Sequence, residues 1–90
     1  MLDNLEQLIK IIRDRKETSS GESYTKKLLN DKKLSGAKVK EEIAELFDSV
    51  DQNSNKIHEA ADVIYHLMVY LEANNIKIED VMSELKKRQK

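Results

Sequence analysis

Cysteine, proline and tryptophan are absent from this 90-residue chain, and glycine occurs only at Gly21 and Gly36. Without cysteine there is no disulfide framework, no zinc knuckle and no thiol nucleophile. Strand-rich domains need many Gly/Pro turns, so their scarcity points away from β-structure. What remains is rich in Lys, Glu, Leu, Ile and Ala, mostly good helix formers, and the fold class read from it is all-α. Aromatic residues are 4% of the chain, so the core is expected to be aliphatic. An excess of one charge is lacking too. The 16 Lys+Arg stand against 17 Asp+Glu, a formal net charge of -1, which argues against a nucleic-acid arm or a polybasic membrane patch. No apolar run approaches the roughly 20 residues of a membrane span. The first residues show neither the charged start nor the apolar core of a signal peptide, so a cytoplasmic location is expected. A chain this short is read as one domain, residues 1–90. It buries only about 60% of its unfolded surface, which makes a lone copy marginally stable.

Apolar spacing places about five helices. Leu5, Leu8, Ile9 and Ile12 recur at helical intervals, predicting a helix from about Leu2 to Lys16 with Asp3 or Asn4 as its cap. The polar stretch from Glu17 to Glu22 reads as a loop, and Ser23 as the cap of a short second helix carrying Tyr24, Leu28 and Leu29 to about Asn30. A further break is expected around Ser35 and Gly36. The third helix then presents Val39, Ile43, Leu46 and Val50 as its apolar stripe, with Phe47 beside it. The polar residues Asp51 to Ser54 are expected to end it and cap the next. A fourth helix spans about Asn55 to Ala73, with Ile57, Ala60, Ala61, Ile64, Met68 and Leu71 on one face. A fifth carries Ile78, Val81, Met82 and Leu85 into the basic end from Lys86 to Lys90, where cations suit the helix dipole. The fourth helix is apolar nearly all round, since Val63, Val69 and Tyr70 lie away from its main stripe. A second buried side in so small a chain implies a partner copy.

The chemistry lies in carboxylates. Glu42 and Glu45 are i, i+3 neighbours on the third helix, with Glu41 adjoining; Glu59 and Asp62 repeat that spacing on the fourth, with His66 one turn further on. A short connection makes these helices antiparallel neighbours. Clustered carboxylates repel one another, and burial raises that cost unless a positive group is shared between them. Oxygen donors without a His/Cys set suit Mg²⁺, with Mn²⁺ an alternative, and such a site takes further oxygens from a substrate phosphate. The chemistry indicated is phosphoryl or nucleotidyl hydrolysis. The competing reading is a solvated acidic face paired with lysines.

The run KVKEEIAE from Lys38 to Glu45, followed by EAADVIYH from Glu59 to His66, resembles the signature of phosphoribosyl-ATP pyrophosphohydrolases. These belong to the MazG-like all-α nucleotide pyrophosphohydrolases, whose E-x-x-E … E-x-x-D pattern falls on Glu42, Glu45, Glu59 and Asp62. Also similar are an arginine late in the first helix (Arg13 or Arg15), the Ser23-Tyr24-Thr25 element with Leu28 following, and the segment Ile78–Val81. One departure is Lys40, where the family commonly has glycine.

The resemblance implies hydrolysis of phosphoribosyl-ATP to phosphoribosyl-AMP and pyrophosphate, the second step of histidine biosynthesis, by a Mg²⁺-dependent homodimer. It implies Glu42, Glu45, Glu59 and Asp62 as metal ligands. Glu41, Glu42 and Glu45 become the catalytic acids, Glu41 as a further ligand or the base that orients water. Lys26 or Lys27, Lys38 and Lys40 are candidates to hold the triphosphate. Ser23 and Tyr24 are either substrate contacts or a helix cap and a core-edge aromatic, and His66 is read as a histidine packed at the dimer interface. Two other functions share these features: a general nucleoside triphosphate pyrophosphohydrolase, and a non-catalytic helical dimerisation module.

Overall fold

The computed structural model describes residues 2–18 and 23–89. Five helices follow in order: α1 (Asp3–Glu17), α2 (Tyr24–Leu29), α3 (Lys32–Gln52), α4 (Lys56–Ala73) and α5 (Ile78–Arg88). Residues 19–22, most of the expected polar loop, lie outside the described residues. Among those described there is no strand, and no helix is long and apolar enough to cross a membrane.

Capping chemistry sets several boundaries. Ser23 Oγ accepts from the Lys26 amide at 3.1 Å, starting α2 as the sequence predicts, and Asp31 Oδ1 accepts from the Leu34 amide at 3.1 Å, starting α3. α3 ends where Asn53 turns left-handed (φ 52°), a conformation asparagine tolerates. Two expected caps do not form. Leu2 occupies the N-cap of α1, so Asp3 and Asn4 lie inside its first turn, where Asp3 still complements the dipole. For α4 the cap expected among Asp51–Ser54 gives way to Asn55, which makes no side-chain cap bond. The break expected at Ser35–Gly36 is also absent, and α3 runs straight through. Glycine in a helix costs about 1 kcal/mol relative to alanine. Here the Asp31 cap lies one turn earlier, and the missing side chain lets an aromatic ring approach: a Cβ on Gly36 would sit 3.1 Å from Tyr70 Cε1.

The apolar core is Ile12, Leu28, Leu29, Met68, Val69 and Ala73, with Leu5, Leu8, Ile9, Leu34, Tyr65, Leu71 and Ile78 packed against it. It therefore joins α1 and α2 to the C-terminal half of α4. Arg13 fastens the same region. Its Nε donates to Glu72 Oε1 at 2.9 Å on α4, while its two terminal nitrogens grip the Glu79 carboxylate of α5 at 2.8 and 2.6 Å. That fork holds the Glu79 carboxyl down at about 2 and raises the guanidinium further.

α3 and α4 form an antiparallel hairpin, the most extensive helix pairing in the chain. Its seam is not the one that apolar periodicity predicts. The buried residues of α3 are Ser35, Glu42 and Ser49, two heptads of one face. The expected stripe lies at the margin or outside: Phe47 is 66% exposed and Val50 55%. On α4, Ile57 is 88% exposed and Ile64 is also open, whereas Val69, expected to face a partner, is completely buried in the chain's own core. Val63 and Tyr70 are half-buried. Periodicity locates an apolar stripe but carries no information on what covers it. Within one chain, the seam went to the small and acidic side.

Candidate active site

The acids of both helices meet at mid-hairpin, Glu42 buried, Glu59 and Asp62 half-buried and Glu45 exposed. Carboxylate oxygens of Glu42, Glu45 and Glu59 all lie within 4.8 Å of one another. A second set, within the same span, joins Glu59 to Asp62 and His58. Glu59 is common to both. Asp62 thus adjoins the first triad through Glu59, and its Oδ2 pairs with His58 Nε2 at 3.3 Å. His58 is the residue sequence reasoning missed, and its i, i+4 spacing to Asp62 is the one sequence signal for the pair.

The cluster is costly as it stands. Glu42 is buried at 9% exposure. Its Oε2 and that of Glu59 are buried with no hydrogen-bond partner among the described residues. Burial first, then the charge of Glu45, pushes the Glu42 carboxyl up; only a protonated His66 would oppose this, and Asp62 adds to it. The Glu59 carboxyl is pushed up by burial and then by Glu45, which lies within hydrogen-bonding range of both. Neighbouring carboxylates offer a hydrogen only when protonated, so the ionised cluster leaves acceptors facing acceptors.

Beside the acids, α2 brings an aromatic group. Tyr24 Oη lies 2.9 Å from His66 Nε2, and His66 Nδ1 lies 2.8 Å from the carbonyl oxygen of Asp62. Tyr65 stacks on Tyr24 with ring centres 6.4 Å apart, meets His66 edge-on, and bonds Thr25 through its hydroxyl. His66 is already buried within the single chain. Burial of the Tyr24 hydroxyl raises its phenol, while Lys38 opposes that shift and Glu42 and Glu41 add to it. Tyr24 and Lys38 therefore share the electrostatic field of the acids.

The remaining sequence candidates divide. Lys38 Nζ lies 3.3 Å from Glu41 Oε2, which raises the ammonium, and Glu41 is half-exposed outside the triad. Ser23 Oγ is the α2 cap, accepting from the Lys26 amide. Lys26 Nζ bonds the Thr18 carbonyl and so turns from the acids toward the end of α1. Lys40 is exposed and lines a groove with Lys32, Lys33, Gly36 and Tyr70, away from the triad.

An all-α fold centred on a helix pair with inward carboxylates, in the pattern E-x-x-E … E-x-x-D, has the form of the helical nucleotide pyrophosphohydrolases. The comparison with known proteins narrows this: residues 5–89 match the family model for phosphoribosyl-ATP pyrophosphohydrolase, and the chain belongs to that family. It is 41% identical to the phosphoribosyl-ATP pyrophosphatase of Clostridium novyi (strain NT), over 99% of this chain and 84% of that protein. It is 40% identical to the phosphoribosyl-ATP pyrophosphatase of Halobacterium salinarum, over 98% of this chain and 99% of that protein. A chloroplastic histidine biosynthesis bifunctional protein of Arabidopsis thaliana is 40% identical over 97% of this chain, which spans 34% of that longer protein.

Proposed function

We propose that the chain hydrolyses phosphoribosyl-ATP to phosphoribosyl-AMP and pyrophosphate in histidine biosynthesis, as the names of its relatives indicate for those proteins. The observation that carries the reading is the pair of orphaned, buried oxygens, Glu42 Oε2 and Glu59 Oε2, within a four-acid cluster. Such acceptors fit a hard divalent cation, since it satisfies several carboxylate oxygens at once and cancels their repulsion. Glu42, Glu45, Glu59 and Asp62 would hold it, with Mg²⁺ the expected ion and Mn²⁺ an alternative. When bound, such an ion neutralises charge on phosphate oxygens and makes water more acidic.

The chain's other groups bind and orient. Lys38, now paired with Glu41, exchanges that partner for the incoming phosphate chain. This frees Glu41 to take the proton of the water that attacks phosphorus as the P–O bond to pyrophosphate breaks. Lys26 joins Lys38 once it leaves the Thr18 carbonyl. Ser23 Oγ spends only a lone pair on its cap, so its O–H is free to donate to a substrate oxygen. The chain works as a cytoplasmic homodimer. Ile43, Phe47 and Val50 on α3, with Ile57, Ile64 and Leu67 on α4, are exposed apolar stripes that a second copy would cover.

Pyrophosphate release by the purified protein with Mg²⁺ tests the reading. Phosphoribosyl-ATP should be hydrolysed at least ~100-fold faster than ATP or dUTP, because a site loses that much or more when its designed polar contacts go unmade. Comparable rates across the panel would make the chain a general nucleotide pyrophosphohydrolase.

A further inference from the structure

The Tyr24–His66–Asp62 chain of hydrogen bonds has a direction. A carbonyl oxygen only accepts, so the proton between His66 and Asp62 resides on His66 Nδ1, 2.8 Å from that oxygen. In the neutral ring this leaves Nε2 with a lone pair and no hydrogen. The Tyr24 hydroxyl, 2.9 Å away, therefore donates to Nε2. A phenol has one hydrogen. With it committed to His66, the tyrosine oxygen presents only lone pairs on its open side, at the end of a chain of bonds that starts from Asp62. Phosphate oxygens are acceptors as well and gain nothing from that surface, whereas a sugar hydroxyl or a base N–H finds an acceptor there.

The parts are built to hold this arrangement. His66 is 7% exposed, with Tyr24 and Tyr65 both edge-on to its ring. Tyr65 is held in turn by the hydroxyl of Thr25, the residue after Tyr24. The imidazole can neither flip nor drift without breaking the bond to Asp62, so the orientation of α4 at a candidate metal acid is passed to the side chain on α2. We infer that His66 is a positioning residue that fixes Tyr24 as a hydrogen-bond acceptor for the ribosyl or base part of the substrate, leaving the phosphates to the lysines. This deepens, and rests on, the reaction proposed above.

Calorimetric titration of the Mg²⁺-loaded protein with phosphoribosyl-AMP, ribose 5-phosphate and pyrophosphate tests it. Tyr24→Phe and His66→Leu should each weaken phosphoribosyl-AMP binding about tenfold, the scale of one lost hydrogen bond, and leave pyrophosphate within about twofold. His66→Gln, whose amide oxygen can replace Nε2 as acceptor, should recover most of the loss, and the Tyr24→Phe/His66→Leu double variant should bind no worse than either single one. A loss shared by ribose 5-phosphate identifies a sugar hydroxyl as the donor, and a loss confined to phosphoribosyl-AMP identifies the base; both support the inference. Melting curves accompany every variant, and Tyr24→Phe carries the test alone should His66→Leu not fold. Equal weakening of pyrophosphate by Tyr24→Phe would make the tyrosine a phosphate donor and overturn the inference, as would unchanged binding of all three ligands. Failure of His66→Gln to recover binding would overturn the role of His66. A wild-type protein that does not bind phosphoribosyl-AMP would sink the reaction and this inference together, whereas wild-type binding with an indifferent Tyr24→Phe sinks the inference alone.

Discussion

Replacing Glu42 by glutamine should make the metal-free protein more stable and the enzyme inactive. Glu42 is buried, one of its oxygens has no donor, and it faces Glu45 and Asp62. An unsatisfied buried polar group costs about 1–3 kcal/mol, more when it is charged. The glutamine amide removes one negative charge and supplies N–H donors to the neighbouring carboxylates, so a gain of about 1–2 kcal/mol is a fair minimum. In a domain of this size each kcal/mol moves the melting temperature by about 4–8 °C, so Glu42→Gln in EDTA should melt roughly 5–10 °C above wild type. Under the proposed assignment, Mg²⁺ should invert the order. A ligand that binds only the folded state stabilises by RT ln(1 + [L]/Kd), about 2.7 kcal/mol at a hundredfold excess over Kd, and the variant would lack one of the proposed ligands. Turnover in the variant should fall by ~10³-fold or more.

The same cost has a pH signature. The Glu42 and Glu59 carboxyls both lie above the ordinary value of 4.5 in the folded chain. A folded state that binds protons more tightly than the unfolded one is favoured at low pH, so this contribution is fully present below about 4.5 and is lost as pH rises through the raised values. In EDTA, wild type should lose melting temperature from pH 5 to pH 8, and Glu42→Gln should lose less. Differential scanning calorimetry of both proteins, with EDTA and with MgCl₂, at both pH values, gives every number needed. If Glu42→Gln melts lower than wild type in EDTA and keeps the Mg²⁺ response, Glu42 is a structural acid and not a metal ligand.

Phe47→Glu should convert a dimer at micromolar concentration into a monomer in sedimentation equilibrium; a monomeric wild type would remove the case for a partner on this face. Val69→Ala empties space in the chain's own core and should cost about 2 kcal/mol while leaving the oligomeric state alone, and a change of assembly instead would place Val69 at an interface after all. Glu79→Gln should lower the melting temperature at pH 7 but not at pH 2, because a carboxyl held at about 2 by Arg13 stabilises above 4.5 and loses that contribution as pH falls through 2. An equal deficit at both pH values would mean the pair acts through packing rather than charge.

Local signals in the sequence were reliable where the cause is local. The stripe of α1, the Ser23 cap and the two acidic pairs each depend on residues three or four apart, and each appears as expected. The failures share a different cause. Ser35 and Gly36 look like a break because both are weak helix formers, yet the decisive contact is the ring of Tyr70, distant in sequence. His66 reads as an isolated histidine on an apolar helix until α2 folds back and places Tyr24, 42 residues earlier, against it. The sides of α3 and α4 were exchanged for a deeper reason. Periodicity assumes that the most apolar face is the one the chain itself buries, and here the most apolar faces of the hairpin are open.

That exchange ties the site to the assembly. Passing along the α3–α4 hairpin from the end packed on α1 and α2, one meets the aliphatic core at Met68, Val69 and Ala73, then the Tyr24–Tyr65–His66 group, then the acids, and finally exposed Phe47, Val50 and Ile57 beside the turn at 53–55. Among the described residues, the fully buried apolar side chains all belong to the first region. The seam further along is lined by Glu42 and Ser49 on α3 and Glu59 on α4, so it offers little hydrophobic drive and carries the repulsion of the cluster. A hairpin with that interior holds together through its outside or through what binds between its acids. A second copy over the apolar stripes would supply the first, and a cation shared among the carboxylates would supply the second. Each would hold the two helices in the register the other needs, so under the proposed function dimer formation and cation binding should strengthen one another.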